Sequence, residues 1–258
     1  MNELSKRIIT AVVLLVLVWA WYFNLASPWF ERGLAFFGWL TTCELILLIK
    51  LRRPWLYMFT ALLAWLAFCF SADLQPLLLL IFIWFATMVF DSRQNPPAFD
   101  HFFTGIWMLG WLFIFALAIA DTHASKTGQD LIVGTCLAVW ISDSAAYFVG
   151  RAWGKHKLCP AVSPGKSIEG AIGGLVFGVP VAAGYWLYCD ALPLFPALLL
   201  AIAAVIAGML GDLSESSAKR IVGAKDSGRW LPGHGGILDR TDAMLMAIPV
   251  TWVLWGLL

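Results

Sequence analysis

The sequence predicts an all-α fold, a polytopic bundle of about nine transmembrane helices with a cytoplasmic N-terminus and a C-terminus on the periplasmic, or outer, face. Composition is the first observation behind this prediction. Apolar residues make up 61% of the 258 residues and charged residues only 13%, whereas soluble domains are about half apolar and a quarter charged. Because so few polar groups cannot cover a surface in water, we expect lipid to be the solvent of this chain.

Nine apolar stretches are long enough to be spanning helices, which need about 20 residues each. Ser71, Asp73 and Pro76 separate the third stretch from the fourth, and one helix over both would be longer than a bilayer is thick. The predicted spans are residues 8–24, 28–50, 54–72, 75–90, 103–121, 131–150, 168–188, 191–212 and 241–258.

The distribution of Lys and Arg tests this span count independently, because basic residues favour the cytoplasmic ends of spans. With nine spans, only Arg32 and Lys126 fall on the outer face. The other fifteen of the 17 basic residues share the N-terminal face: Lys6, Arg7, Lys50, Arg52, Arg53, Arg93, Arg151, Lys155, Lys157, Lys166, Lys219, Arg220, Lys225, Arg229 and Arg240. This asymmetry predicts that the N-terminal face is cytoplasmic.

The chain divides into two regions by the distribution of its polar residues. Residues 1–130 contain five predicted spans and few reactive side chains, and residues 131–258 contain the remaining four. Two polar segments of this second region, residues 143–170 and 212–242, lie on the predicted cytoplasmic face. We therefore assign the catalytic chemistry to the C-terminal region.

The segment 212–242 combines acidic, basic and glycine residues, a combination that suits transfer of a phosphoryl or nucleotidyl group. Asp212, Asp239 and Asp242 lie at the borders of predicted spans, where an acid is costly and indicates a functional site. Carboxylate oxygens are the ligands that Mg²⁺ prefers in proteins. The three acids therefore predict a magnesium site.

Groups that can bind phosphate surround these acids in the sequence. If the eighth helix continues past Asp212, Ser216 and Lys219 lie on the same face of it. Glycines from Gly233 to Gly236 allow successive backbone N–H groups to turn toward an anion. The basic residues predicted to bind phosphate oxygens are Lys219, Arg220, Lys225, Arg229 and Arg240.

The segment 143–170 adds a second set of polar residues that can belong to the site. Asp143 and Tyr147 are four residues apart, on one face of the sixth span. Further on, Gly165-Lys166-Ser167 imitates the end of a P-loop, but Pro160 stands where that motif needs its first glycine, and no strand is expected before it. We expect Lys166 and Ser167 to begin the seventh helix, whose N-terminus favours phosphate.

Glycines recur at a regular spacing in the seventh predicted span. Gly170, Gly174 and Gly178 are four residues apart and so lie on one face of a helix. A stripe of small residues lets another helix approach closely, so we interpret it as a packing surface.

Simpler interpretations of some of these residues stay open. Any single basic residue of the segment 212–242 can serve only to anchor the topology. Asp226 can be a surface partner of Lys225, and His234 can cap a turn. Glu44, in the second span, is either a site residue or a buried acid paired near the cytoplasmic end.

The residues from Ser216 to Asp242 resemble the signature of the phosphatidate cytidylyltransferases, the CDP-diacylglycerol synthases. The segment 143–170 also resembles this family in order and spacing, so the likeness covers roughly residues 140–245. The positions that carry the signature are Ser216, Lys219, Arg220, Lys225, Asp226, Gly228, Leu231, Pro232, Gly233, His234, Gly235, Gly236, Ile237, Leu238, Asp239, Arg240 and Asp242.

The resemblance implies a magnesium-dependent enzyme of phospholipid biosynthesis in the bacterial inner membrane, which converts CTP and phosphatidic acid to CDP-diacylglycerol and pyrophosphate. It also implies a homodimer of nine-helix subunits, allows a second cation, and predicts no nucleic-acid partner. The metal ligands carry over to Asp212 and Asp239, with Asp143 and Asp242 near by. The predicted catalytic residues are Asp212, Asp239, Lys219, Arg220 and Lys225, and the predicted substrate-binding residues are Ser216, Asp226, Arg229, His234, Gly235, Gly236, Arg240, Lys166 and Tyr147.

Two other classes of membrane protein are less consistent with the sequence. The CDP-alcohol phosphotransferases use a spaced Asp-Gly, Ala-Arg, Gly, Asp, Asp pattern that is not found here. A transporter would need polar residues deep in several spans or an inverted repeat with broken helices. In this chain the polar residues gather at one predicted face, which favours an enzyme.

Overall fold

The structure is a computed structural model, which describes residues 3–71, 73–91, 99–231 and 235–258, without the side chains of residues 3–9, 11, 90, 91 and 99. Two of the residues predicted above, Arg93 and His234, lie outside the described residues, as do Pro232 and Gly233 of the signature.

The chain divides into two compact units. Unit 1 comprises Met1–Ala120 together with Ala218–Arg240, and unit 2 comprises Asp121–Ser217 together with Thr241–Leu258. Residues 218–240, which belong to the C-terminal region of the sequence, therefore pack with the N-terminal helices. The division at residue 130 concerns which segments carry the chemistry, and it stays a prediction.

The described residues form nine α-helices, and each overlaps one predicted span. The helices are α1 Glu3–Asn24, α2 Trp29–Leu48, α3 Pro54–Ser71, α4 Gln75–Asp91, α5 Phe99–His123, α6 Lys126–Trp153, α7 Ile168–Tyr188, α8 Leu194–Ile221 and α9 Leu238–Trp255. Five of them (α3, α5, α6, α7 and α8) are long and apolar enough to cross a membrane. The described residues are thus nearly all helical, and several of their helices have the character of membrane spans. The count of nine spans and the orientation of the termini stay predictions.

The helix ends differ most from the predicted spans where polar residues extend a helix. The first turn of α6 is capped by Ser125, whose hydroxyl accepts a hydrogen bond from the Gly128 backbone N–H at 3.0 Å, so this helix begins before the predicted span at 131. Helix α8 continues past the predicted end at residue 212 to Ile221. Hydropathy marks the apolar part of a helix, and backbone hydrogen bonding decides where the helix ends.

A short hairpin corrects the prediction of an all-α fold. Strand β1 (Lys157–Cys159) pairs antiparallel with β2 (Ser163–Ser167), with Lys157 opposite Ser167. The expectation that no strand precedes the P-loop-like motif was therefore wrong, because β1 ends directly before Pro160. Pro160 still stands where a P-loop needs its first glycine. Lys166 and Ser167 were expected to begin the seventh helix, but they end β2 and the helix begins at Ile168. The Ser167 hydroxyl accepts a hydrogen bond from the Gly170 N–H at 3.1 Å, so Ser167 caps α7.

The glycine stripe of α7 packs against α6, as predicted. A methyl group placed on Gly174 would lie 3.1 Å from the Ser142 carbonyl oxygen. One placed on Gly178 would lie 2.9 Å from the Ala138 carbonyl oxygen. These are close approaches of one helix backbone to another, which only a residue without a side chain permits. The stripe therefore fixes α6 beside α7.

Asp130 of α6 forms a second contact between α6 and α7. This buried side chain accepts hydrogen bonds from Lys126 and, at 3.1 Å, from the Tyr185 hydroxyl. Its backbone carbonyl accepts a 2.9 Å hydrogen bond from the indole N–H of the fully buried Trp186. The Trp186 ring is consequently held in one position, directly against Gly134 of α6.

Replacing Gly134 with alanine tests this packing. The new methyl group would overlap the fixed Trp186 indole, and overpacking of this kind costs about 1–3 kcal/mol. We expect a lower transition temperature for thermal unfolding in detergent. Gly184→Ala in α7 is the matched control, because no atom lies within 4 Å of the added methyl group. Equal transition temperatures for the two variants would contradict the proposed packing.

Candidate functional site

The predicted site residues fall into two clusters, one within each unit. In unit 2, α8 carries Asp212, whose Oδ2 accepts a hydrogen bond from the Lys166 ammonium at 2.6 Å. The Ser216 hydroxyl, one turn further along α8, donates to Asp212 Oδ1 at 3.3 Å. Asp143 of α6 is close enough to be repelled by Asp212 and attracted by Lys166. We call Asp143, Lys166, Asp212 and Ser216 the Asp212 cluster.

The hairpin brings Lys166 to this cluster. Its base is held by Glu169 in the first turn of α7, whose carboxylate accepts hydrogen bonds from the backbone N–H groups of Lys155 and His156 and lies 2.6 Å from His156 Nδ1. The Ile168 N–H also donates to the His156 carbonyl at 2.9 Å. These contacts fix both ends of the hairpin. Lys166 is the penultimate residue of β2, so its direction is fixed with them.

Helix α9 approaches α8 closely beside Asp212. A methyl group on Gly211 would lie 2.5 Å from the Asp242 carbonyl oxygen. The backbone at Asp242 therefore lies next to the residue that precedes Asp212. The Asp242 Oδ1 accepts a hydrogen bond from the Ala243 N–H at 2.9 Å, a contact with the next residue of its own helix.

In unit 1, Asp239 is the centre of the second cluster. Its Oδ1 accepts hydrogen bonds from the Lys219 ammonium at 2.8 Å and from the Ser227 N–H at 3.1 Å. Its Oδ2 accepts from the Ser227 N–H at 3.0 Å and from the Gly236 N–H at 2.9 Å. We call Lys219, Ser227, Gly236 and Asp239 the Asp239 cluster.

The charge of Asp239 is stabilised by these donors. Asp239 lies ahead of the predicted span 241–258, and burial by itself would raise the pKa of its carboxyl. The ammonium of Lys219 and the amide groups of Gly236 and Ser227 outweigh burial, and the pKa is lowered. Asp239 is therefore a fixed negative charge that organises the glycine-rich segment.

A positive φ angle of +85° at Gly235 supports this arrangement, since only glycine adopts it readily. A methyl group there would also lie 2.8 Å from Asp239 Oδ2. The Leu231 N–H donates a hydrogen bond to the Gly235 carbonyl at 2.9 Å. The predicted role of these glycines in shaping the backbone is consistent with this geometry.

Glu44 reaches the same segment from α2. The sequence left its role open, and the structure gives it partners in residues 227–238, which are 183 or more positions further along the chain. Ser227, Ile237 and Leu238 all donate hydrogen bonds to it. In the sequence, an acid inside an apolar span indicated Glu44, but nothing there indicated its partners.

Most of the other predicted residues are exposed at the surface of their own unit. Arg220 donates to the Ala224 carbonyl at 3.3 Å, and Tyr147 accepts from Arg151 at 3.0 Å. The exposed predicted residues are Tyr147, Arg220, Lys225, Asp226, Arg229 and Arg240. Their accessibility suits contact with a ligand, and their assignments stay predictions.

Comparison with known proteins identifies the family. The sequence profile of the cytidylyltransferase family matches residues 5–258, nearly the whole chain. This chain belongs to the cytidylyltransferase family. The family predicted from residues 140–245 is thereby confirmed, and the likeness extends to the N-terminal helices, which the sequence analysis matched only in hydropathy.

Individual members of this family are similar over different shares of the chain. A phosphatidate cytidylyltransferase of Haemophilus influenzae is 31% identical over 278 aligned residues, covering 95% of this chain and 96% of that protein. The enzyme of the same name from Staphylococcus haemolyticus is 43% identical over 57% of this chain and 54% of its own length. The phosphatidate cytidylyltransferase of Bacillus subtilis is 39% identical over 64% of this chain and 62% of its own length. In the last two comparisons, the chain spans about half to two thirds of the relative's length.

The contact between Lys219 and Asp239 can be tested by a double-mutant cycle. The two side chains are only 12% and 9% exposed, and a hydrogen bond between charged groups in such a place contributes about 1.5–3 kcal/mol. We expect Asp239→Asn and Lys219→Met each to lower the transition temperature of the protein in detergent. The double variant should lose less than the sum of the single losses, by about 0.5–3 kcal/mol. Additive losses would contradict the direct contact.

Proposed function

We propose that this chain transfers the cytidylyl group of CTP to phosphatidic acid, giving CDP-diacylglycerol and pyrophosphate. The observation that carries the proposal is the family match over residues 5–258. The Haemophilus influenzae relative, a phosphatidate cytidylyltransferase, is similar over almost the full length of both chains. The Asp212 cluster adds geometric support, because it combines acids and an ammonium group that suit a phosphate-transfer reaction.

Two residues of the Asp212 cluster fit a magnesium ion. The described residues contain no group of three or more His, Cys, Asp or Glu side chains placed to hold a metal ion, but Mg²⁺ is usually held by one or two carboxylates together with substrate phosphates. Asp143 and Asp212 repel each other across neighbouring helices, and a cation would relieve this repulsion. We assign Mg²⁺ to Asp143 and Asp212, where it would neutralise charge on the triphosphate of CTP.

Asp239 and Asp242 fit this ion less directly. A cation at Asp239 would have to displace Lys219 or one of the amide groups that now fill its oxygens. One oxygen of Asp242 already accepts a hydrogen bond from the Ala243 N–H. Their predicted roles as ligands, and the second cation, remain proposals.

In the proposed reaction, an oxygen of the phosphatidic acid phosphate attacks the α-phosphorus of CTP. A new P–O bond forms there, and the bond from the α-phosphorus to the oxygen bridging the β-phosphate breaks with its electron pair leaving on pyrophosphate. No covalent enzyme intermediate is needed, because the phosphate monoester already carries a nucleophilic oxyanion. The main obstacle is the repulsion between two polyanions.

The basic side chains would lower this obstacle. Lys166 now contacts Asp212, and its ammonium group is placed to bind phosphate oxygens when the substrates arrive. Lys219 is held by Asp239. The exposed bases Arg220, Lys225 and Arg229 supply further positive charge, and holding both substrates together makes the attack effectively unimolecular.

We propose that the protein crosses a bacterial inner membrane nine times, with the site at the cytoplasmic face and the diacyl tails in the bilayer. Five helices have the length and composition of spans, and the distribution of Lys and Arg supports the orientation. The homodimer implied by the family resemblance is proposed on that resemblance alone.

A direct assay tests the reaction. Purified protein in detergent, supplied with labelled CTP, phosphatidic acid and Mg²⁺, should form a labelled lipid and pyrophosphate in equal amounts. Asp212→Asn should lower the rate about 100-fold or more. The variant lacks the negative charge of the Asp212 carboxylate in the site where charge develops during the reaction. A transporter would give no lipid product, and a CDP-alcohol phosphotransferase would require a CDP-activated lipid instead of CTP.

Asp190→Asn is the matched control for this assay. Asp190 precedes the start of α8, and its φ of +51° is one that asparagine tolerates well. Asp212 lies near the other end of the same helix, so the two variants make the same chemical change at opposite ends. An equal loss of activity in both would contradict the assignment of Asp212.

Thiol labelling tests the proposed orientation. After the five native cysteines are replaced by alanine, Thr127→Cys places a single exposed thiol in the first turn of α6, and Lys157→Cys places one at the start of β1, four residues past the end of α6. In intact cells whose outer membrane has been made permeable, an impermeant maleimide should label residue 127 and not residue 157. Both should react once the inner membrane is dissolved, and the reverse pattern in intact cells would overturn the orientation.

A further inference from the structure

We propose that Glu44 is a positioning residue for the proposed reaction: it fixes the start of α9 and the Ser227 backbone, and through them the Asp239 cluster. This proposal rests on the proposed function for its catalytic consequence. Its structural part, the anchoring of the segment by Glu44, is measurable without any reaction.

The position of Glu44 is unusual for an acid. It lies in the apolar helix α2 and its side chain is 1% exposed. An ionisable group in such surroundings is costly unless it is fully hydrogen-bonded. A purely apolar residue would pack here at lower cost, so the contacts of Glu44 indicate what it contributes.

Both carboxylate oxygens of Glu44 accept hydrogen bonds from the start of α9. The Ile237 N–H donates to Oε2 at 2.8 Å, and the Leu238 N–H donates to Oε1 at 3.1 Å. These amides belong to the N-terminal end of α9, where N–H groups have no partner within the helix. A carboxylate at this end also interacts favourably with the helix dipole. Glu44 therefore acts as a cap supplied by a different helix.

The same carboxylate reaches Asp239 through Ser227. The Ser227 hydroxyl donates to Glu44 Oε1 and accepts a hydrogen bond from the Asp239 N–H at 3.3 Å. The Ser227 N–H in turn donates to both oxygens of the Asp239 carboxylate. Glu44, Ser227, Asp239 and Lys219 thus form one continuous chain of hydrogen bonds. Displacement of Glu44 would move Ser227 and change the support of Asp239.

Two glycines allow the segment to approach Glu44 this closely. A methyl group on Gly236 would overlap both Glu44 Oε1 and the Ser227 hydroxyl, and one on Gly228 would lie 3.1 Å from the Glu44 carboxyl carbon. The signature positions 228 and 236 therefore have a reason to be glycine that differs from binding an anion. They make room for the carboxylate that holds the segment.

Glutamine is the informative substitution, because it keeps the size of the side chain and removes one acceptor. The amide nitrogen of glutamine donates only. In either orientation it would face a backbone N–H or the Ser227 hydroxyl, so at least one buried donor loses its acceptor. Aspartate keeps both acceptors with a shorter reach, so it should restore part of what glutamine loses.

Thr42→Val provides the matched control. Thr42 is also buried in α2, two residues before Glu44, where its hydroxyl donates to the Gly38 carbonyl and accepts from the Trp65 indole N–H at 3.0 Å. This variant removes two buried hydrogen bonds of the same helix without touching residues 227–239. It reports what a general loss of stability does to the measurements.

The experiment compares wild-type protein, Glu44→Gln, Glu44→Asp and Thr42→Val in detergent by amide hydrogen exchange and steady-state kinetics. In Glu44→Gln, exchange in peptides covering residues 235–240 should become about tenfold faster or more. Its kcat should fall about 100-fold with a smaller change in KM, since displaced groups cost rate even far from the chemistry. Glu44→Asp should be intermediate, and Thr42→Val should resemble wild type in both measurements.

The outcomes separate the two proposals. If exchange and kcat of Glu44→Gln match those of Thr42→Val, the positioning role is overturned. If wild-type protein forms no CDP-diacylglycerol, the proposed function fails, while faster exchange in Glu44→Gln alone still supports the anchor. If Glu44→Gln does not fold, Ser227→Ala replaces it; that variant keeps the carboxylate, and unchanged exchange and kcat there would overturn the proposal.

Discussion

An acid in the helices of a mostly apolar chain has to be surrounded by donors from the protein itself, and much of this structure follows from that constraint. Glu44 is met by backbone amides and a hydroxyl, Asp239 by an ammonium and amides, and Asp130 by Lys126 and Tyr185. In an apolar environment, each of these contacts is expensive to break. The acids are consequently the points at which distant segments are fixed to one another, and the apolar packing fills the space between such points.

The lengths of the helices explain where the reactive residues can lie. Helices α6 and α8 each have 28 residues, which corresponds to about 42 Å, while the hydrocarbon core of a bilayer is about 30 Å thick. About two turns of each helix must therefore extend beyond the hydrocarbon if the helix crosses it. Asp143 and Asp212 both lie in the C-terminal halves of their helices. Such positions combine the rigidity of a helix with access to charged, water-soluble substrates. A loop lacks the rigidity, and a position in the middle of the membrane lacks the access.

Sequence patterns predicted the helices well because hydropathy reports burial in lipid directly. The bounds of α7 were predicted as 168–188, and the stripe at Gly174 and Gly178 packs as predicted. The hairpin was missed because residues 157–167 show no alternation of apolar and polar residues; its pairing depends on contacts from Glu169. Likewise, the partners of Glu44 lie 183 or more positions away, and one sequence carries no information on contacts at that separation. Acids could be recognised as important, but not assigned to partners.

Asp212 and Asp239 lie in one polar segment, residues 212–242, yet the protein uses their acceptor capacity differently. A carboxylate has about four lone-pair positions. Among the described residues, Asp239 accepts from Lys219, from Gly236 and twice from the Ser227 N–H, whereas Asp212 accepts from Lys166 and Ser216. The contacts on Asp212 come from the ends of side chains, which can move when a ligand arrives. Those on Asp239 include backbone amides that cannot move without reshaping the glycine-rich segment. Residue type alone made both acids candidates for the metal, and the number and kind of their donors favour Asp212 as the ligand and Asp239 as the group that holds the segment in shape.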